Sequence, residues 1–258
     1  MRPLVSIITP TFGREEFLAQ CLRCVQQQSY PDIEWLILDD SPEPSPLLAG
    51  HADSRIGYQH MAGRLSIGEK RNRMIAGARG EFIAHFDDDD YYAPRFLDTM
   101  VSSLEGNGAD FANLCSWYVY DSRHDFFGFW NLRQTTGLHY LCHADQIRLN
   151  NFTAQNNSSL HDNFLGYGFT YVYRKKVWSA TNFSAVTWGE DAPFARAAAE
   201  NFQVLSIADQ TALVLHVLHA NSSSSCFPQY HLPNFLMPVL FDGYGRICAE
   251  RSVSAAAT

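Results

Sequence analysis

At 258 residues, with 46% hydrophobic and 18% charged side chains, the chain is too apolar and too weakly charged for disorder. It is also long enough to bury a core without metal or disulfide staples. Its formal charge of -8, from 19 basic and 27 acidic residues, argues against an electrostatic grip on nucleic acid. No apolar run approaches the roughly 18 residues of a membrane span, and the N-terminal residues lack a signal peptide's charged and apolar regions, so a soluble, cytoplasmic protein without a transmembrane segment is expected. Six cysteines, at 21, 24, 115, 142, 226 and 248, are too scattered for a disulfide framework, and Cys21-x-x-Cys24 has no second pair at zinc spacing. Buried free thiols are expected.

Leu4 to Thr9 is a Val/Ile-rich run ended by Pro10, which reads as a buried strand. From Glu15, apolar side chains recur at Phe17, Leu18, Cys21, Leu22 and Val25, predicting an amphipathic helix broken at Tyr30-Pro31. Glu34 to Leu38 reads as a second buried strand, stopped by Asp39-Asp40-Ser41-Pro42. After a short stretch around Ile56 to His60, a helical pattern runs from Ile67 to Ala78, with Gly80 as its expected C-cap. Glu81 to Phe86 is a third strand, running into Asp87 to Asp90. Pro94 opens a helix through Phe96, Leu97, Met100, Val101 and Leu104, closed by Asn107-Gly108.

Beyond that helix the pattern changes to short mixed strands at Phe111 to Leu114, Ser116 to Tyr120 and Thr170 to Tyr173. Phe126 to Phe169 is dense in aromatics and amides and reads either as a wall for a sugar or peptide or as an irregular core, the second being preferred. Ala192 to Glu200 is a helix and Thr211 to His219 a strand. From Pro228 an extended wrap is expected, and a frayed tail over Ser252 to Thr258.

Strand, helix, strand, helix, strand is the pattern of a parallel sheet with right-handed crossovers. Ligands of such sheets bind beyond the C-terminal strand ends, and both acidic clusters, Asp39/Asp40 and Asp87 to Asp90, map to that edge. Four adjacent aspartates raise one another's pKa and call for a cation, and a hard divalent ion shared with a diphosphate suits oxygen ligands. A solvated acidic turn is the alternative.

The segments VSIITPTFGR, WLILDDSP, GEKRNRMIAGARGEFIAHFDDDDYYAP and WGED resemble the nucleotide-sugar transferases of the GT-A fold, in the large inverting family 2 that includes transferases of bacterial polysaccharide and cell-envelope synthesis. The resemblance is close over roughly residues 3–105 and looser over 165–221. It implies an α/β, Rossmann-like, mostly parallel sheet flanked by helices with a mixed acceptor-side half. The implied division is a nucleotide-sugar-binding half over 1–105, an acceptor-binding and catalytic half over 106–227, and a C-terminal extension over 228–258. The implied activity transfers a sugar, with inversion, from a nucleoside diphosphate donor, UDP being the expected carrier, to a glycan, lipid-linked or protein acceptor, with Mn2+ or Mg2+ as cofactor.

By the same resemblance, Thr9 lines the nucleoside pocket and Asp40 accepts a hydrogen bond from the base, while Asp39 is either a donor contact or a turn cap. Arg71 and Asn72 match the family's pair facing the donor, where a cation complements diphosphate; the alternative for Arg71 is a surface residue on a basic helix with Lys70 and Arg73. Asp87 or Asp88 faces the ribose and Asp89 is the principal metal ligand, in a register ambiguous by one residue. Tyr91 and Tyr92 pack structurally. Asp191 matches the general base that an inverting transfer needs near the acceptor hydroxyl, with a helix N-cap as its competing role and Glu190 in reserve. Trp188 offers an apolar face to a sugar, or sits in the core. Of His216 and His219, read as pointing to opposite faces of a strand, only one can reach the metal, and His219, just before Asn221-x-Ser, is preferred.

Two other functions remain open. Nucleotidyltransfer needs a Gly-rich, basic phosphate loop after the first strand, for which Pro10 to Arg14 is poor; a noncatalytic binder of sugar nucleotides or glycans has no need of acids in both halves, Asp89 and Asp191.

Overall fold

A computed structural model describes residues 2–158, 160, 164–222 and 224–244. In chain order its elements begin with β1 (Val5–Thr11), α1 (Glu15–Gln26), β2 (Ile33–Asp39), β3 (Ile56–His60), α2 (Ile67–Gly77), β4 (Phe82–His85), β5 (Tyr91–Tyr92) and α3 (Phe96–Asn107). Then come β6 (Phe111–Asp121), β7 (Phe126–Asn131), β8 (Gly137–Cys142), β9 (Ile147–Phe152), β10 (Val172–Arg174), α4 (Lys175–Ala180), α5 (Asp191–Asn201), β11 (Val204–Ala208), β12 (Val214–Leu218), β13 (Tyr230–Leu232) and α6 (Met237–Leu240). They form two compact units that interleave along the chain.

The first unit takes residues 1–89, 94–114 and 165–207. Its strands lie in the order β6-β10-β4-β1-β2-β3, with β4, β1, β2 and β3 mutually parallel and β10 antiparallel to both of its neighbours. The fold class is therefore the expected one, an α/β arrangement with a mostly parallel sheet flanked by helices. Six of the seven residues of β1 are buried, as a strand covered on both faces requires. α1 has acids in its first turn and Arg23 in its last, complementing the helix dipole. A capping box starts α2, where Ser66 Oγ accepts from Glu69 N–H and the Glu69 carboxylate accepts from Ser66 N–H. The α2 face turned inward carries Lys70 and Arg71 beside Met74 and Ile75, so this helix brings cations to the strand ends as well as apolar cover. Ile8, Leu38, Ile75, Phe111, Tyr173 and Phe194 lie in the unit's core.

The second unit takes residues 90–93, 115–164 and 208–258. It is mixed: β7 and β13 are antiparallel, β6 from Cys115 onward pairs antiparallel with β7 and parallel with β12, and β12 pairs antiparallel with β5. The β8–β9 hairpin forms a separate two-stranded sheet. Trp117 and Trp130 meet edge-on with centroids 5.3 Å apart.

Several expectations are corrected. α2 ends at Gly77 with Ala78 as its extended C-cap, so Gly80 does not cap it. Gly80 instead lies against β1, its N–H donating to Ser6 Oγ at 2.8 Å. A Cβ there would fall 2.6 Å from both the nitrogen and Oγ of Ser6, so Gly80→Ala is expected to destabilise the protein by about 1–3 kcal/mol through overpacking, read as a lower urea midpoint. The two strands expected at 111–114 and 116–120 are one, β6. From Phe126 as far as Phe152 the aromatic stretch is ordered by β7, β8 and β9, and the strand expected at Thr170 starts two residues later, after a 3-10 turn at Gly168–Thr170. The wrap after Pro228 contains β13 and α6. β5 and β11 were not anticipated. The expected frayed tail, Ser252 to Thr258, and Cys248 lie outside the described residues; the other five cysteines are buried free thiols, as expected. No described helix is long and apolar enough to cross a membrane.

Candidate active site

Because β1 and β2 run parallel and in register from Val5–Ile33 to Thr11–Asp39, their C-terminal ends arrive together, and Phe86 N–H joins this edge by donating to Ile8 O. Asp39 closes the turn after β2: its Oδ1 accepts from Ser41 N–H at 2.9 Å and its Oδ2 from the Tyr58 hydroxyl at 2.7 Å. Of its two readings, the turn cap is the one with visible contacts. Asp40 has a fully covered side chain, accepting from Leu65 N–H at 2.7 Å and paired with Lys70 and Arg64. Lys70 also donates to Thr11 O at 2.7 Å, and burial lowers its pKa against the pull of Asp40.

Thr9 is fully buried, donating to Phe86 O at 2.8 Å and accepting from Trp35 Nε1–H at 2.9 Å, so its hydroxyl ties β1 to its neighbours. Two residues on, and hence on the same strand face, Thr11 donates to Asp88 Oδ2 at 2.6 Å. Arg14 Nη1 donates to Asp88 Oδ1 at 2.8 Å and also pairs with Asp89. Burial, then the neighbouring charge of Asp89, push the Asp88 carboxyl up to about 6 against the pull of Arg14 and Thr11. An unfolded Asp titrates near 4, so between about pH 4 and 6 the folded chain holds a proton that the unfolded chain has lost, and stability falls as pH rises through that window. Asp88→Asn is expected to raise the urea midpoint at pH 7 more than at pH 4, measured in EDTA to keep divalent ions away.

Arg71 joins the two acidic regions of the sequence. Its side chain is 3% exposed; Nη1 donates to Glu190 Oε1 at 2.7 Å and to Asp191 Oδ1, and Nη2 lies 3.5 Å from Asp87 Oδ1. The alternative of a surface arginine is thereby overturned. Burial disfavours its charge, but Asp191, Glu190 and Asp87 outweigh that and raise its pKa. Glu190 is shifted up by burial, with Asp191 adding and Arg71 opposing. Asp191 is the first residue of α5, and the preceding N-cap makes no side-chain bond, so Asp191 does not cap the helix. Its Oδ2 accepts from Gly168 N–H at 3.2 Å.

Asn72 turns to the loop before α5. Its amide donates to Phe183 O at 2.8 Å and accepts from Phe183 N–H at 3.0 Å and Trp178 Nε1–H at 2.9 Å. Gly68 N–H holds the same loop through Val186 O at 3.1 Å. Trp188, within that loop, is 78% exposed, which rules out its core alternative.

In the second unit His216 Nδ1 lies 2.8 Å from Asp90 Oδ1, which also accepts from Val217 N–H at 2.9 Å. Burial works against a charged His216, but Asp90 outweighs it and its pKa rises. His219 lies just past the end of β12; its ring Nδ1 accepts from Asn221 N–H at 3.2 Å. Along the single turn after β4, Asp87, Asp89 and Asp90 can offer oxygens within 4.8 Å of one another. Three hard oxygen donors, beside an Asp88 whose carboxyl is pushed up by burial and then by the charge of Asp89, suit a divalent cation.

The sequence reading missed the roles of Thr11, Arg14, Lys70 and Gly168. Thr11 repeats Thr9 at strand period, and that was the available signal; the glycine between Tyr167 and Phe169 carried none.

The profile of the family described as "Glycosyl transferase family 2" matches residues 6–179. Among curated proteins, the chain is 28% identical over 232 residues to the uncharacterized glycosyltransferase EpsJ of Bacillus subtilis, covering 87% of this chain and 63% of EpsJ. It is 29% identical over 117 residues to a GalNAc(5)-diNAcBac-PP-undecaprenol beta-1,3-glucosyltransferase of Campylobacter jejuni, covering 43% of this chain and 38% of that protein. Among solved structures, S. aureus TarS 1-349 in complex with UDP-GlcNAc aligns with a TM-score of 0.63 at 17% identity, over 85% of this chain and 60% of that one. The Pyrobaculum calidifontis mannosyltransferase PcManGT, in complex with GDP-Man and Mn2+, aligns over 100% of this chain and 76% of its own with a TM-score of 0.59 at 14% identity. These structural likenesses show the fold, the GT-A arrangement expected above. With the profile covering most of its length, the chain belongs to glycosyl transferase family 2.

Proposed function

We propose that the protein transfers a sugar, with inversion, from a UDP-sugar to an acceptor hydroxyl in cytoplasmic assembly of a cell-envelope glycan, with Asp191 as general base. The observation that carries this reading is Arg71, a buried cation shared by the acid after β4, Asp87, and the acids at the start of α5, Glu190 and Asp191. It joins acids at the C-terminal strand edge, where a diphosphate is held in such sheets, to a partly exposed carboxylate suited to take a proton. Membership of family 2 supports the activity, TarS bound to UDP-GlcNAc supports the uridine donor, and the undecaprenol-linked substrate of the Campylobacter relative supports a lipid-linked acceptor.

Asp87, Asp89 and Asp90 would hold Mn2+ or Mg2+, with His216 steadying Asp90. Such an ion, when bound, neutralises the diphosphate as a leaving group. Asp191 removes the acceptor's proton as the acceptor oxygen bonds to the anomeric carbon, while the bond from that carbon to the diphosphate oxygen breaks with its electron pair on the diphosphate. Arg71 holds Asp191 in place, and Trp188 offers the acceptor an apolar face.

A panel of UDP-sugars with Mn2+ tests this without a known acceptor, because water can slowly replace one. UDP release is expected with Mn2+ and not with EDTA, and Asp89→Ala should abolish it while leaving the fold intact. The sugar released should have the inverted anomeric configuration. Undiminished turnover in EDTA would remove the metal from the reading, and a retained configuration would remove the single displacement.

A further inference from the structure

Gly168 is the residue against which the Asp191 side chain is seated. A Cβ built there would overlap both carboxylate oxygens and Cγ of Asp191, and the Gly168 amide donates to Oδ2 at 3.2 Å. The other oxygen, Oδ1, accepts from Arg71 Nη1. Behind this seat the Tyr171 hydroxyl lies 3.4 Å from the Asp191 carbonyl oxygen, and Tyr171 N–H donates to Gly168 O at 3.1 Å, closing the 3-10 turn around the carboxylate.

The two oxygens are unequal. A hydrogen bond from a cationic guanidinium draws more charge than one from a neutral amide. Oδ2, held only by an amide among its described contacts, is thus the more basic oxygen, and the Asp191 side chain is 19% exposed, so a substrate can approach it.

We propose that Gly168 is the positioning residue for Asp191, its missing side chain leaving the space the carboxylate fills and its amide orienting Oδ2 as the oxygen that takes the acceptor's proton. The inference rests on the general-base reading of Asp191. In the step it describes, the acceptor O–H bond breaks with its electron pair kept on oxygen and the proton passes to Oδ2, leaving Asp191 neutral while the diphosphate departs with the pair from its bond to the anomeric carbon.

The test is a double-mutant cycle between Gly168→Ala and Asp191→Ala on the ligand-free protein, followed by thermal unfolding. In the parent, Gly168→Ala is expected to lower the Tm by roughly 3–8 °C, the cost of overpacking in a chain of this size. In the Asp191→Ala background, where the carboxylate is gone, the same change should cost less than about 1 °C. A penalty that persists in that background, or none in the parent, overturns the seat.

Turnover then tests positioning, read as UDP released from the UDP-sugar panel, with UDP affinity measured by calorimetry in Mn2+. Gly168→Ala should lower kcat by about 100-fold, as a misplaced reacting group does, and leave the UDP dissociation constant within about threefold. A loss of UDP affinity matching the loss of rate overturns the positioning role. An unchanged rate in Asp191→Asn, together with strong coupling in the stability cycle, would show instead that the base assignment has failed and the seat stands.

Discussion

Asp191→Asn is expected to lower the transfer rate by about 10²- to 10⁴-fold, the range for loss of a general base, while UDP affinity in Mn2+ stays within a few-fold of the parent. The replacement keeps the shape, and its carbonyl oxygen can still accept from Arg71, but its amide NH2 cannot accept from Gly168, so one of the two bonds that hold the carboxylate at the start of α5 is lost. What it removes is the capacity to take a proton, so binding and chemistry are separated. A parallel loss of rate and affinity would move Asp191 to the diphosphate, and an unchanged rate would pass the role to Glu190, whose carboxylate shares the same guanidinium.

Arg71→Met should cost about 3–5 kcal/mol of stability at pH 7, the penalty for removing one partner of a buried ion pair. Methionine fills much of the volume but leaves Glu190, with its side chain 5% exposed, without its cation, and loosens Asp191 and Asp87. The sign of the pH dependence follows. Glu190 already has a raised pKa, with burial as the largest cause and Arg71 opposing it. Without Arg71 it rises further, so the variant's deficit should be greatest at neutral pH and shrink towards pH 4, where a protonated carboxyl needs no cation. Urea midpoints at the two pH values measure it. Adding Glu190→Gln should recover part of the loss at pH 7, and a deficit independent of pH would show that the guanidinium serves packing alone.

The repeated pattern of buried strand, amphipathic helix and acidic turn was readable from residue order alone. The runs before Thr11, Asp39 and Phe86 are apolar at both strand faces, and polar or proline-bearing turns follow them, so the placement of Asp39/Asp40 and Asp87 to Asp90 at strand ends needed only local information. Other elements were hidden for local reasons too. β5 is two residues long, and β11 is only partly buried, so neither carries a periodicity that could announce it. Gly80 looked like a helix cap because glycine commonly ends helices, whereas its reason is an approach to Ser6, 74 residues earlier in the chain.

What the sequence by itself determined is which residue types stand at the sheet's ligand-binding edge and that they are too acidic to be left without cations. What only the tertiary structure decided is which cation answers which acid: Lys70 to Asp40, Arg14 to Asp88 and Asp89, Arg71 to Glu190 and Asp191 across 119 and 120 residues. Periodicity and turn chemistry act over a few residues and are written into the order of side chains. The pairing of buried charges depends on distances of a few ångströms between segments far apart in the chain, and that of Arg71 with Glu190 and Asp191 exists only once Leu165–Ile207 has packed into the same unit as the first three strands.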